Sequence, residues 1–206
     1  EIYGYKAIGV YTLDDFTYSD INGPYTLNPE TPSVGGEKPG AIKYADLNDD
    51  GKINSDDRTI IGHSLPKFSG GFTNILTYKG IELFCQFQYS VGNDIYNANL
   101  IYLSGNPSSN MLKDLYENRW TINNQNTTQF NKMPKVAANS ALIEDGSYLR
   151  FKTLRLGYTI PSAFVKKANI GMIKVYVSID NVHVWTNYSG YDPEISTRTS
   201  NNNLPL

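Results

Sequence analysis

Apolar and polar residues alternate along much of the chain with a period of two. That pattern predicts β-strands with one face turned to an apolar medium. About five segments carry it, with polar irregular stretches between them. Residues 1–13 hold Ile2, Tyr3, Tyr5, Ile8, Val10 and Tyr11, then give way at Asp14-Asp15 to a loop rich in Gly, Pro, Asn and Thr. Residues 67–78 and 81–91 form the clearest pair, and the Lys79-Gly80 connection predicts a hairpin. In the second run Ile81, Leu83, Cys85, Phe87 and Tyr89 share one face. Glu82, Gln86, Gln88 and Ser90 share the other, with Phe84 as the exception. Residues 147–160 and 172–185 return to strand character on either side of Pro161-Ser162 and a stretch suited to a helical turn. Both late strands change phase. In the last, Ile173, Val175, Val177 and Ile179 are apolar at odd positions and Val182 and Val184 at even ones, which predicts a bulge near Asp180-Asn181 that restores the facing.

The strands are at least as long as the ~9 to 11 residues that cross a bilayer at a tilt, and no stretch approaches the ~20 apolar residues of a spanning helix. Apolar-out, polar-in alternation suits a water-filled barrel, while a soluble sandwich shows the same alternation with its apolar face inward. Five or six strands fall short of the roughly eight that close a bacterial membrane barrel, so a barrel reading makes the chain a piece of one. Composition leans toward long strands with aromatic ends: there are 16 Tyr against 8 Phe and 2 Trp. Residues 93–139 read as an elaborate polar loop with a helix over 110–120, where Met111, Leu112, Leu115 and Tyr116 recur at helical spacing. The chain starts at Glu1 without Met, basic segment or apolar signal core and ends in Asn201, Asn202, Asn203, Leu204, Pro205 and Leu206, so both ends read as cuts through something longer.

Charge and reactive residues narrow the function. Net charge is -2, and no Lys/Arg cluster marks a phosphate-tracking surface, which excludes nucleic acid as an expected partner. The single Cys85 reads as a packing residue. His63 and His183 lack the partners of a triad, and Glu144-Asp145-Gly146 reads as a turn. Gly35-Gly36 and Gly70-Gly71 lack the Lys and the strand-loop-helix context of a phosphate loop, and read as flexible or bulge glycines. No catalytic constellation is expected, and the chain is not read as an enzyme.

One motif carries metal chemistry. Residues 46–57 fit a calcium-loop template, with side-chain oxygens at Asp46, Asn48 and Asp50, the carbonyl of Lys52, and a carboxylate at Asp57. Gly51 stands where such a loop needs a positive φ, and Ile53 where it anchors to the body beneath. An EF-hand ends in Glu, whereas the terminal Asp57 resembles the dockerin-type loop. The expectation is a structural Ca2+ site within a loop insert over 41–65. The alternative is a metal-free acidic turn in which Asp56 or Asp57 caps a short helix over 58–62.

Four segments together resemble the C-terminal region of SusC/RagA-like TonB-linked outer-membrane proteins. They are GAIKYADLNDDGKINSDDRTIIG at 40–62 running into PKFSGGF at 66–72, QYSVGNDIYN at 88–97, EDGSYLRFKTLRLGYTIP at 144–161 and VYVSIDNVHVWTNYSGYDPE at 175–194. A weaker likeness covers YGYKAIGVYTLDDF at the front. The resemblance implies an all-β fold, the C-terminal section of a transmembrane antiparallel barrel of about 22 strands with long extracellular loops, whose last strand is missing here. It implies residence in a bacterial outer membrane among its lipids, and import of oligosaccharide or peptide. TonB would engage through parts outside this chain, and a SusD-like surface lipoprotein would close as a lid. Residues 14–40, 93–139 and 187–206 are then candidates for contact with ligand or lid. Tyr102, Tyr116, Trp120, Tyr188 and Tyr191 are stacking platforms for sugar rings or, alternatively, packing residues. The competing expectation is a secreted soluble β-sandwich or dockerin-like calcium-stabilised binding module.

Overall fold

A computed structural model describes residues 1–103, 110–131, 138–165 and 169–194, apart from the side chains of Tyr102 and Val165. The chain forms two compact units, one from Glu1–Ser64 with Ile95–Glu144 and one from Leu65–Asp94 with Asp145–Ile195. The first expectation to change is the strand over 1–13. It divides at Lys6 into β1 (Ile2–Tyr5) and β2 (Ala7–Val10), followed by β3 (Phe16–Tyr18), β4 (Tyr25–Leu27), β5 (Ile42–Tyr44) and β6 (Arg58–Gly62). The division has a pairing cause: β1 bonds antiparallel to β6, while β2 bonds to β5. β3 and β4 make their own hairpin. Residues 58–62, a helix under the metal-free reading of the loop, are strand β6.

The core of the first unit gathers Val10, Leu13, Ile42, Tyr44, Ile53, Trp120 and Phe130. Tyr11 is fully buried beside it and donates its hydroxyl to the Pro32 carbonyl at 2.6 Å. Burial first, and the nearby Glu37 and Asp15 carboxyls next, push its ionisation up, so the phenol stays a donor at neutral pH. Trp120 and Phe130 come from the excursion expected to be a surface loop. Among the described residues the helices of that segment are short, α1 (Asn99–Leu103) and α2 (Lys113–Asn118), the second shorter than the expected 110–120. Asn131 ties it down, its backbone N–H donating to Gly40 and its side-chain amide to Pro39.

The second unit is one antiparallel sheet of β7 (Phe68–Tyr78), β8 (Ile81–Val91), β11 (Tyr148–Thr159) and β12 (Lys174–Thr186), in the order β12-β11-β8-β7. A turn of helix, α3 (Ser162–Val165), follows β11, and a short ribbon of β9 (Asp94–Tyr96) with β10 (Ile143–Asp145), most of it in the first unit, completes the elements. The hairpin falls where the sequence puts it. Lys79 at φ 46 and Gly80 at φ 85 both adopt the left-handed region, as a two-residue turn matching strand twist requires. Gly70 and Gly71 lie in an unbroken ladder and mark no bulge. A Cβ on Gly70 would meet the Tyr89 hydroxyl at 2.9 Å, so glycine makes room for that ring.

The phase changes resolve differently in the two late strands. On β11 the register slips between Phe151 and Thr153 against β8, an extra residue at Lys152 that moves the apolar positions from Leu149 and Phe151 to Leu154, Leu156 and Tyr158. On β12 the irregularity sits at the expected place, with Asn181 at φ 53, but facing is not reversed. Thr153 pairs with Asp180 and Phe151 with His183, leaving two residues of β12 between those pairs. His183 and Trp185 therefore share the face of Val175, Val177 and Ile179, while Val184 lies opposite Arg150 on the polar face.

The Lys79-Gly80 turn yields a prediction of two signs. Gly80→Val forces a branched residue to φ 85 and its Cβ to within 2.9 Å of the Thr159 carbonyl. It should cost the hairpin about 1–2 kcal/mol, and Lys79→Asn should stabilise it. Amide exchange at the 78–81 end of the ladder in the intact protein reads both.

Candidate functional site

Cross-strand pairing sorts the second unit into two chemically distinct faces. The rows Leu76, Leu83, Leu156, Val177 and Tyr78, Ile81, Tyr158, Val175 run across all four strands of the sheet on one face. In the middle the rings of Phe72, Phe87 and Phe151 stack, with centroids 4.7 and 4.4 Å apart and planes within 13° and 8°. The face is open: Val177 is 69% exposed, Leu76 63% and Leu156 54%. Tyr78 and Tyr158 stand at its hairpin end, and Phe68, Tyr89 and Trp185 at the other. Cys85 is half-buried on this face between Leu154 of β11 and Asn74 of β7, in keeping with a packing role.

The opposite face carries charge. Lys174 Nζ lies 2.8 Å and an Arg155 nitrogen 3.6 Å from Glu82 Oε1. The Arg155 guanidinium stands 4.8 Å over the Phe84 ring and 5.8 Å from that of Tyr176, which explains why an aromatic interrupts the polar side of β8. Thr153 donates to Asp180 at 2.8 Å, and Lys152, displaced by the bulge, donates to Gln88 Oε1 at 3.1 Å.

At the end of this face remote from the hairpin, Arg150 is 4% exposed and meets two carboxylates. Its Nη2 donates to Asp192 Oδ1 at 2.6 Å. Its Nε lies 2.9 Å from Glu194 Oε2, an ion pair off the hydrogen-bond axis. The Tyr148 hydroxyl at 2.7 Å and Gln88 Nε2 at 2.8 Å both donate to Glu194 Oε1. This group is not legible in the strand pattern of the sequence. Its one local signal was an arginine inside a strand that has two acidic residues in the chain after the next strand.

The acidic loop of the first unit has its own order. Asp57 is fully buried and accepts from the backbone N–H groups of Leu47 and Asn54 at 2.8 Å each. Asp46 Oδ2 accepts from Gly51 N–H at 2.8 Å, Asn48 Oδ1 from Asp50 at 3.1 Å, and Asp50 Oδ1 from Lys52 at 2.8 Å. Gly51 has φ 80, and Ile53 is buried in the core with its N–H on Ser33, both as the motif led us to expect. The Asn54 N–H above all, with Leu47 and Asn48 adding, holds the Asp57 carboxyl below the usual range against the upward push of burial. Among the described residues no three His, Cys, Asp or Glu side chains gather in a group that could hold a metal ion, and the carboxylates of this loop turn onto backbone N–H groups.

The candidate stacking aromatics divide. Trp120 is core and Tyr188 is buried, while Tyr116 and Tyr191 are exposed, and the side chain of Tyr102 lies outside the described residues. Arg119 covers the Tyr116 ring at 4.0 Å. His183 packs against Trp185 at 4.6 Å on the apolar face.

No family model matches the chain. Individual proteins do. TonB-dependent receptor P3 of Formosa agariphila is 37% identical over 205 residues, covering 97% of this chain and 19% of the receptor. TonB-dependent receptor P39 of the same organism is 30% identical over 96% of this chain and 22% of its own length. Among solved structures, the RagAB peptide importer in its open-open state superposes with a TM-score of 0.65 at 25% identity, covering 93% of this chain and 19% of that one. A second RagAB peptide transporter structure gives a TM-score of 0.68 at 23% identity over the same shares. The chain thus spans about one fifth of the proteins it matches. These relatives are receptors and importers, not enzymes. Over nearly its whole length, the chain is a homologue of TonB-dependent receptors of the SusC/RagA-like kind.

Proposed function

We propose that this chain is part of the wall of an outer-membrane β-barrel that imports a peptide or an oligosaccharide. The observation that carries the reading is the open apolar face of the four-stranded sheet. Strands of 11 to 13 residues are long enough to cross the hydrocarbon layer at a tilt. Aromatic rings at both ends of that face suit the two membrane interfaces. A soluble sandwich would bury such a face against a second sheet, since apolar area in water costs roughly 25 cal/mol per Å². No helix among the described residues is long and apolar enough to cross a membrane, which leaves strands to do it. The polar face then lines a water-filled route. The name of the RagAB peptide importer favours peptide as cargo, and a SusD-like lipoprotein as lid and TonB as energy source follow from family likeness.

In the intact protein, heating should shift gel mobility, as expected of a closed barrel. Trp185 fluorescence should be quenched by lipids brominated along their chains. A protein that leaves the membrane fraction without detergent, with Trp185 unquenched, rejects the reading in favour of the soluble module.

The acidic loop we propose as a structural Ca2+ site formed by Asp46, Asn48, Asp50, the Lys52 carbonyl and Asp57. Its oxygen donors, at the spacing of a calcium loop, suit a hard cation. Asn48 and Asp50 would have to turn from the backbone N–H groups they now hold. Titration calorimetry of the intact protein should show Ca2+ binding that Asp46→Asn abolishes. Absence of heat, with unchanged amide exchange over 46–57, would discard the site.

Asp57 also ties the loop to pH. Its folded pKa is depressed, so its contribution is fully present above the unfolded value of about 3.9 and is lost as pH falls through the lower folded value. Asp57→Ala should remove that dependence. It should also destabilise the loop by about 2 kcal/mol or more, because two backbone donors lose their acceptor. Acid-range amide exchange of residues 47 and 54 checks both effects.

A further inference from the structure

Asp192 and Glu194 belong to the segment that follows β12, and their contacts on the polar face are unequal in kind. The receiving groups are fixed. Arg150 and Tyr148 sit in β11 between two paired strands, and their burial leaves them 4% and 9% exposed. Gln88 sits on β8, and its amide is oriented from both sides, Oε1 taking the Lys152 ammonium and Nε2 donating to Glu194. The carboxylates they receive are the more exposed partners, at 29% for the Asp192 side chain and 38% for Glu194. They hang on a connection, between the exposed Tyr191 and the end of the described chain. A guanidinium, a phenol O–H and an amide N–H converging on one carboxylate are the groups that recognise a free carboxylate ligand. A buried arginine also needs an anion whenever its own is withdrawn, because an unpaired buried charge is costly.

We propose that Arg150, Tyr148 and Gln88 form a carboxylate-binding site on the polar face, filled here by the chain's own strap, residues 187–194. A ligand carboxylate would take the place of Glu194 when the strap lifts. The ligand class is a carboxylate-bearing solute, either an acidic peptide or a uronate-containing oligosaccharide. The inference rests on the transporter reading in placing this face along the route of the cargo. It also places the site toward the extracellular mouth, because the short Lys79-Gly80 turn is at the opposite end of the strands and outer-membrane barrels keep short turns on the periplasmic side.

The test uses the intact receptor in detergent, with a glutamate-terminated peptide, its C-terminally and side-chain amidated counterpart, and a tri-galacturonate as probes. Asp192→Asn with Glu194→Gln should speed amide exchange of peptides covering 187–194 at least tenfold. It should tighten binding of the free-acid peptide or the galacturonate at least tenfold over the parent, leave the amidated peptide unchanged, and lose the whole gain when Arg150→Gln is added. Whichever acidic probe gains identifies the source of the carboxylate. A freed strap with no gain for either acid overturns the proposal, and so does a strap as protected as in the parent. Should the double variant lose its heat-modifiable band, Glu194→Gln alone, which keeps Asp192 on Arg150, is held to the same two criteria. Lipid quenching of Trp185 in the same preparation reports separately on the transporter reading, so an Arg150-dependent gain without quenching would retain the site and reject the barrel.

Discussion

Everything distinctive in the second unit depends on the continuous antiparallel ladder from β12 through β11 and β8 to β7. Pairing fixes which side chains share a face, since residues opposite one another in a ladder project to the same side. It places Phe72, Phe87 and Phe151 in one stack, and Glu82, Arg155 and Lys174 in one ion cluster. The ladder also governs the two irregularities. One extra residue on β11 brings Leu154 and Leu156 onto the apolar side, and an insertion that preserves parity on β12 leaves Val184 facing Arg150. A continuous apolar surface with a charged reverse is the outcome, and it suits a wall between lipid and water.

The first unit obeys a different constraint. Its strands are three to five residues long, too short to stabilise one another by pairing alone. A small core therefore does much of the work, and it draws on distant parts of the chain: Val10 and Leu13, Ile42 and Ile53, Trp120 and Phe130. The acidic loop is held from both sides of that core. Ile53 anchors it by burial, while Asp57 accepts the N–H groups of Leu47 and Asn54 across its base. A loop organised in this way keeps its shape through backbone donors.

Local pattern alone gave the hairpin at Lys79-Gly80, the long strands, the facing along β8, the positive φ of Gly51 and the anchoring role of Ile53. Each depends on near neighbours: strand alternation has a period of two, and a two-residue turn selects its own backbone angles. The acidic loop's spacing was equally legible, because its side chains bond to backbone groups within a few residues. Family likeness was readable too, as it rests on the order of several short motifs.

What only the tertiary structure decided was where distant residues meet. Nothing near residue 6 announces that the first strand breaks there, since the break exists because β6 and β5 compete for its two halves. Trp120 looked like a loop aromatic and is core, because burial depends on what folds over a residue and not on its neighbours in the chain. The parity of β12 could not be counted from its own residues, for an insertion is defined against the partner strand. Arg150 found Asp192 and Glu194 some forty residues away by the same logic. The sequence determined the strands, their faces and the acidic loop, whose physics is local; the meeting of charges across the sheet belongs to the fold, because ladder register sets it.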